Sequence, residues 1–126
     1  MAIGIINIVE GFSLEQKKML IQKTKEAIID GFLMTEHSSY TQIQEVKAEN
    51  CDEQTKSMAC LYIYTTYGKS MYGKDAIAEG FDKACKEALG DAIIRTIVIF
   101  KEHMDENAGN NGRIRPLDES YPRRKK

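Results

Sequence analysis

Shifted by 57 positions, the sequence falls into ordered register with itself. Met1-Ala2 lands on Met58-Ala59, Gly11-x-Ser13 on Gly68-x-Ser70, Lys17 on Lys74, Leu20 on Ile77 and Ala27 on Ala84. The shared order of elements argues the repeat more strongly than the identities do. A duplicated unit constrains the fold, because each copy is a supersecondary unit that needs a neighbour to bury its apolar face.

In the first copy, Ile3 to Val9 is a nearly continuous, β-branched apolar run. It reads as a strand buried on both faces. Glu10-Gly11-Phe12 breaks it, and Ser13-Leu14-Glu15-Gln16 then has the capping-box pattern Ser-x-x-Gln. Leu14, Leu20, Ile21, Thr24, Ala27 and Ile28 follow at helical spacing, and Gly31 predicts the helix end. Tyr40 to Val46 reads as a second strand.

The second copy repeats the plan. Cys60 to Thr65 is a strand broken at Gly68, and Ile77, Phe81, Ala84, Cys85, Ala88 and Leu89 form one face of a helix that Gly90 can cap. Ile93 to Phe100 predicts the last long strand, and Asn111-Gly112 a tight hairpin. The expected fold class is α/β, an α+β two-layer sandwich. Tandem β-α-β units form a four-stranded sheet with two helices on one face. The expected division is one domain over 1–115, made of units at about 1–57 and 58–115, followed by a frayed basic tail over 116–126. The bare sheet face predicts an oligomer. A ferredoxin-like fold has the same element order but different strand pairing. Parallel pairing of residues 3–9 with 40–46 would exclude it.

Composition closes off other classes. With 42% hydrophobic and 29% charged residues, the chain is neither disordered nor fibrous. No apolar run reaches the roughly 18–20 residues of a membrane span. The start Met1-Ala2-Ile3-Gly4 lacks a positive n-region, so no signal peptide is expected. Cys51, Cys60 and Cys85 are odd in number and form no C-x-x-C pair, which points to core thiols in a reducing, cytoplasmic setting. The net charge of −1 divides unevenly: the last fourteen residues, 113–126, carry 6 basic and 2 acidic groups, leaving an acidic body. Four terminal cations on such a chain give no case for nucleic acid.

The stretch Ile5-Ile6-Asn7-Ile8-Val9-Glu10-Gly11-Phe12-Ser13-Leu14-Glu15-Gln16-Lys17 resembles the start of 4-oxalocrotonate tautomerases. Those have an apolar strand, then Glu-Gly-Arg-Ser, then a helix opening with Glu-Gln-Lys. The resemblance continues at Leu20-Ile21, Ala27-Ile28, Gly68-Lys69-Ser70 and Glu102 through Arg113, with the loop 47–57 poorly matched. Two fused units in one chain look like the trimeric branches of the tautomerase superfamily. These include 5-carboxymethyl-2-hydroxymuconate isomerases, malonate semialdehyde decarboxylases and cis-3-chloroacrylic acid dehalogenases. The resemblance implies cofactor-independent tautomerisation or isomerisation of a small unsaturated 2-oxo or 2-hydroxy acid by a homotrimer. The expected substrate is a small carboxylate, with no nucleic-acid or membrane partner and no metal expected. The family base is an N-terminal proline, exposed when the initiator methionine is removed. An α-amino group ordinarily titrates near 7.7–8.0, within reach of general-base work at neutral pH.

Here Ala2 stands at the proline position and Phe12 at the first-unit arginine. The resemblance therefore implies a primary amine at Ala2, once Met1 is removed, as base or nucleophile. Lys69 matches the second-unit arginine and is either a carboxylate binder at a helix N-terminus or a solvated surface lysine. Phe12 and Phe32 either line the pocket mouth or pack at element boundaries. Arg95 either offers a cation across a subunit boundary or is a solvated strand-edge arginine. Gly68-Lys69-Ser70 fails as a P-loop, since Ile63 occupies the place of the required glycine. Glu102, His103 and Glu106 lack the converging ligands that a metal needs, and His37 reads as a solvated loop residue. The competing class is a catalytically silent trimer of the same fold that binds a small anion or a protein partner.

Overall fold

The computed structural model describes residues 1–114; the expected frayed tail lies outside the described residues. The first copy folds as β1 (Ala2–Val9), α1 (Leu14–Phe32) and β2 (Ser39–Val46). A four-residue helix, α2 (Glu53–Lys56), capped by the Asp52 carboxylate, fills the loop between copies. The second copy follows as β3 (Met58–Thr66), α3 (Met71–Leu89) and β4 (Arg95–His103). β5 (Gly109–Asn110) and β6 (Arg113–Ile114) form a small hairpin. Its central residues Asn111 and Gly112 both have positive φ, 53° and 86°, as a type I′ turn requires.

The sheet order is β2-β1-β3-β4, with β1 parallel to β2, β3 parallel to β4, and the two copies joined antiparallel between β1 and β3. Ile3 pairs with Tyr40 and Val9 with Val46 in parallel register, which excludes the ferredoxin-like alternative. The sheet and the packed helices form the two-layer α+β sandwich.

The capping box at Ser13 is formed in full. Ser13 Oγ accepts from the Gln16 amide at 3.1 Å, and Gln16 Oε1 accepts from the Ser13 amide at 2.9 Å. Ser70 caps α3 with the first of these two bonds, accepting from the Gly73 amide at 3.0 Å. Gly90 ends α3 with φ 66°, as expected. Gly31 does not end α1. The helix runs on to Phe32 and stops at Leu33 in the left-handed region, φ 52°. Gly31 is instead where α1 and α3 cross closely, since a Cβ there would lie 2.9 Å from the Gly73 carbonyl oxygen.

Leu20 and Ile28 of α1, with Ile77, Phe81, Ala84, Cys85, Ala88 and Leu89 of α3, pack on Ile6, Ile8, Leu61 and Ile63 of the sheet. Burying each of the Leu, Ile and Phe side chains among them contributes about 1.5–3 kcal/mol. Two strand expectations need correction. β4 begins at Arg95 and ends at His103, rather than Ile93 to Phe100. Ile93 is spent as a buried plug after the turn Gly90–Ala92, and the partner strand β3 carries the ladder on through Lys101, Glu102 and His103. β1 is buried on one face only: Ala2, Gly4, Ile6 and Ile8 face the helices, while Ile3, Ile5, Asn7 and Val9 are half-buried on the other side. That other face carries Tyr40, Tyr62, Tyr64, Ile97 and Ile99, with Tyr40 and Ile99 53% and 43% exposed.

Candidate active site

One end of the sheet gathers the start of β1, the start of β2, the end of β3 and the loop leading into α3. Ala2 sits there with no exposed surface, paired with Ser39 on one side and Thr65 on the other. All three face the helix layer. The Thr65 hydroxyl, wholly buried, donates to the Met1 carbonyl oxygen at 3.1 Å. Ser39 Oγ is buried and has no hydrogen-bond partner among the described residues. A buried hydroxyl left unmet costs about 1–3 kcal/mol. A hollow of about 310 Å³ lies against Met1, walled by His37, Ser38, Tyr40 and Asn110.

The β3–α3 loop is held rigidly. Tyr67 donates its amide to the His103 carbonyl at 2.8 Å, and the Gly68 amide donates to Glu102 Oε2 at 3.0 Å. Gly68 has φ 102°, a conformation that suits glycine. Glu102 also ion-pairs with Lys74. The Lys74 ammonium, helped by the Gly68 amide, holds its carboxyl below the usual carboxylate range. Lys69 makes no such pair among the described residues. Its Nζ lies 5.6 Å from the Phe32 ring centroid, and Phe32 meets Phe100 edge-on at 6.0 Å. Lys74 Nζ lies 5.8 Å from the Phe100 ring, so two cations sit on one aromatic pair.

The 57-residue shift survives in detail. The pair Lys17–Glu45, at 2.9 Å, is the counterpart of Lys74–Glu102. The bond from the Glu10 amide to the Val46 carbonyl matches that from Tyr67 to His103. Gly11, with φ 116°, matches Gly68, and Phe12 occupies the place of Lys69.

The structure thus brings Ala2, Lys69 and Phe32 to one end of the sheet. Phe12 and Arg95 lie at the other, beyond the far end of β1 and at the first residue of β4. An eight-residue strand spans about 25 Å. Phe12 packs partly buried against the core, and Arg95 borders a shallow hollow with Ser57, Met58 and Ile94. Glu102 and His103 are adjacent on β4 and so point to opposite faces. Cys85 is a core thiol, pushed up to about 12 by burial, while Cys51 and Cys60 are only half-buried rather than core residues. Sequence reading passed over Ser39, Thr65, Lys74 and Phe100. The repeat sets Lys74 opposite Lys17 without revealing its ion pair with Glu102, and nothing local marks the two hydroxyls.

No protein-family model matches the chain, and no curated protein matches its sequence. Solved structures match its shape. Native fused 4-OT superposes with a TM-score of 0.80 at 16% identity, covering 89% of this chain and 94% of that one. A fused 4-OT described as an asymmetric trimer gives 0.78 at 18% identity, with the same coverage. Macrophage migration inhibitory factor of Toxoplasma gondii gives 0.76 at 14% identity, covering 89% of this chain and 98% of that one. The chain has the tautomerase fold. At these identities the likeness is one of architecture. Within the tautomerase fold seen here, the start of β1 and the Lys69 loop share one end of the sheet. Among the described residues of this tautomerase-fold chain, no helix is long and apolar enough to cross a membrane.

Proposed function

We propose that the protein is a keto–enol tautomerase for small unsaturated 2-oxo or 2-hydroxy acids, working without a cofactor as a homotrimer. The observation that carries this reading is Lys69. It is a cation in no ion pair among the described residues, close enough to Glu102 only to help hold that carboxyl low, and it stands before the Ser70-capped start of α3 at the same sheet end as Ala2. Removal of Met1 leaves the Ala2 amine as the base. The amine takes the enol hydroxyl proton as the carbonyl forms, and the resulting ammonium returns a proton to the neighbouring carbon. Lys69 and the helix N-terminus hold the substrate carboxylate. Phe32 and Phe100 wall the site with apolar surface, which strengthens those charges.

The bare sheet face with Tyr62, Tyr64 and Ile99 supports self-association, and the fused 4-OT neighbours are described as trimers. A second reading, a silent trimer that binds a small anion, draws support from Ala2, which is wholly buried behind Met1, and from Phe12 in place of a cation.

Intact mass and ketonisation of phenylenolpyruvate test the two. A mass lacking one methionine, turnover above background, its loss in Lys69→Ala and a gain in Ala2→Pro support the enzyme. Retained Met1, with no turnover in parent or proline variant, leaves the silent trimer.

A further inference from the structure

We infer that the Ser39 and Thr65 hydroxyls are substrate-oxygen donors, uncovered when Met1 leaves. The inference deepens the tautomerase reading and rests on it. The two hydroxyls flank Ala2 from the two neighbouring strands, both facing the helix layer and both essentially inaccessible, at 1% and 0% exposure. Thr65 spends its hydrogen on the Met1 carbonyl oxygen, and Ser39 Oγ has no partner among the described residues. Protein interiors seldom hold polar groups in that condition without a reason. Removing Met1 takes away the acceptor of Thr65. It also takes away the one residue, Met1, that both receives the Thr65 hydroxyl and borders the hollow lined by His37, Ser38, Tyr40 and Asn110.

The Met1 carbonyl oxygen stands where a ligand oxygen would be received. A hydroxyl donating to a carboxylate or an enolate oxygen makes a short, charge-assisted bond. Lys69 would supply charge at a distance, while Ser39 and Thr65 would supply direction beside the amine. The pair selects ligands bearing oxygen close to the amine, such as 2-oxo acids, over purely apolar ones.

The test uses Met1-free protein, verified by intact mass, with phenylpyruvate as the binding probe in titration calorimetry. The variants are Ser39→Ala, Thr65→Val, Thr65→Ser and Lys69→Ala. Thr65→Val should weaken phenylpyruvate about tenfold or more, and Ser39→Ala by several-fold, with KM for phenylenolpyruvate rising more than kcat falls. Thr65→Ser, which keeps the hydroxyl, should restore binding. Ser39→Ala removes only an unpartnered oxygen, so its melting temperature should hold and its binding can be read without ambiguity. Parent-like binding by Ser39→Ala and Thr65→Val, with a weakened Lys69→Ala, overturns the hydroxyl assignment and leaves the tautomerase reading standing. Binding without turnover overturns the enzymatic reading, while the same titrations still decide the hydroxyls. No phenylpyruvate binding by the Met1-free parent overturns both.

Discussion

The Lys69 ammonium sits 5.6 Å from the centroid of the Phe32 ring, so the loop of the second copy rests its cation on the helix end of the first. The contact crosses the repeat boundary and leaves the ammonium outside any ion pair among the described residues, though its charge helps to hold the Glu102 carboxyl low.

Lys69→Ala should therefore raise KM for a 2-oxo acid about tenfold or more, the effect of losing one charge-assisted contact, with little change in stability. Lys69→Arg should retain most of the affinity, since a guanidinium also stacks on an aromatic face. Steady-state kinetics and melting curves on the two variants separate charge from packing.

Glu102 couples the Lys69 loop to β4 through the Gly68 amide and to α3 through Lys74. Its carboxyl is held low in the folded state, chiefly by Lys74. That stabilisation is present above the unfolded carboxylate value, near 4.3, and is lost as pH falls through the lower folded value. Glu102→Gln should lower stability at neutral pH by about 1 kcal/mol. It should also flatten the loss of stability below about pH 4.3, measured by urea unfolding across an acid series.

Gly31 marks the closest approach of the two long helices. Gly31→Ala would press a methyl group to 2.5 Å from Ile77 Cγ1 and 2.9 Å from the Gly73 carbonyl. The expected destabilisation is about 1–3 kcal/mol, despite the better helix propensity of alanine. An increase in the denaturant midpoint would contradict the close crossing.

Ile99 lies on the uncovered face of β4, in register with Tyr62, which pairs in turn with Ile5. Ile99→Asp should leave the chain folded while shifting it to a smaller species in sedimentation velocity. Unchanged sedimentation would show that this face is not the subunit contact.

The sequence carried the signals that act within a few residues. Ser13 with Gln16, Ser70, Gly90 and Asn111-Gly112 mark local hydrogen bonds and φ values, and each lands where its chemistry demands. Gly31 misled because a glycine near a helix end serves a cap and a close crossing equally well, and only the partner helix decides. β4 ran past Phe100 into Lys101, Glu102 and His103 because its neighbour β3 offered a ladder, a fact invisible in the strand's own polarity. At the candidate site, Lys69 was legible as a cation before a helix. Ser39 and Thr65 were not, because their significance arises from pairing with Ala2 across long stretches of chain. Phe12 was read at a pocket mouth with Phe32, whereas within one chain the topology sets it beyond the far end of β1 from Ala2, and Arg95 lies at that far end too.

Phe12 and Lys69 occupy the same backbone station in the two copies, each just after a positive-φ glycine and just before a capping serine. An assembly of separate, identical units would carry any substitution in every such loop at once. Joining the units in one chain frees the two loops to diverge. One can become a greasy plug while the other keeps its charge, and the number of charged loops is halved without touching the scaffold that presents them.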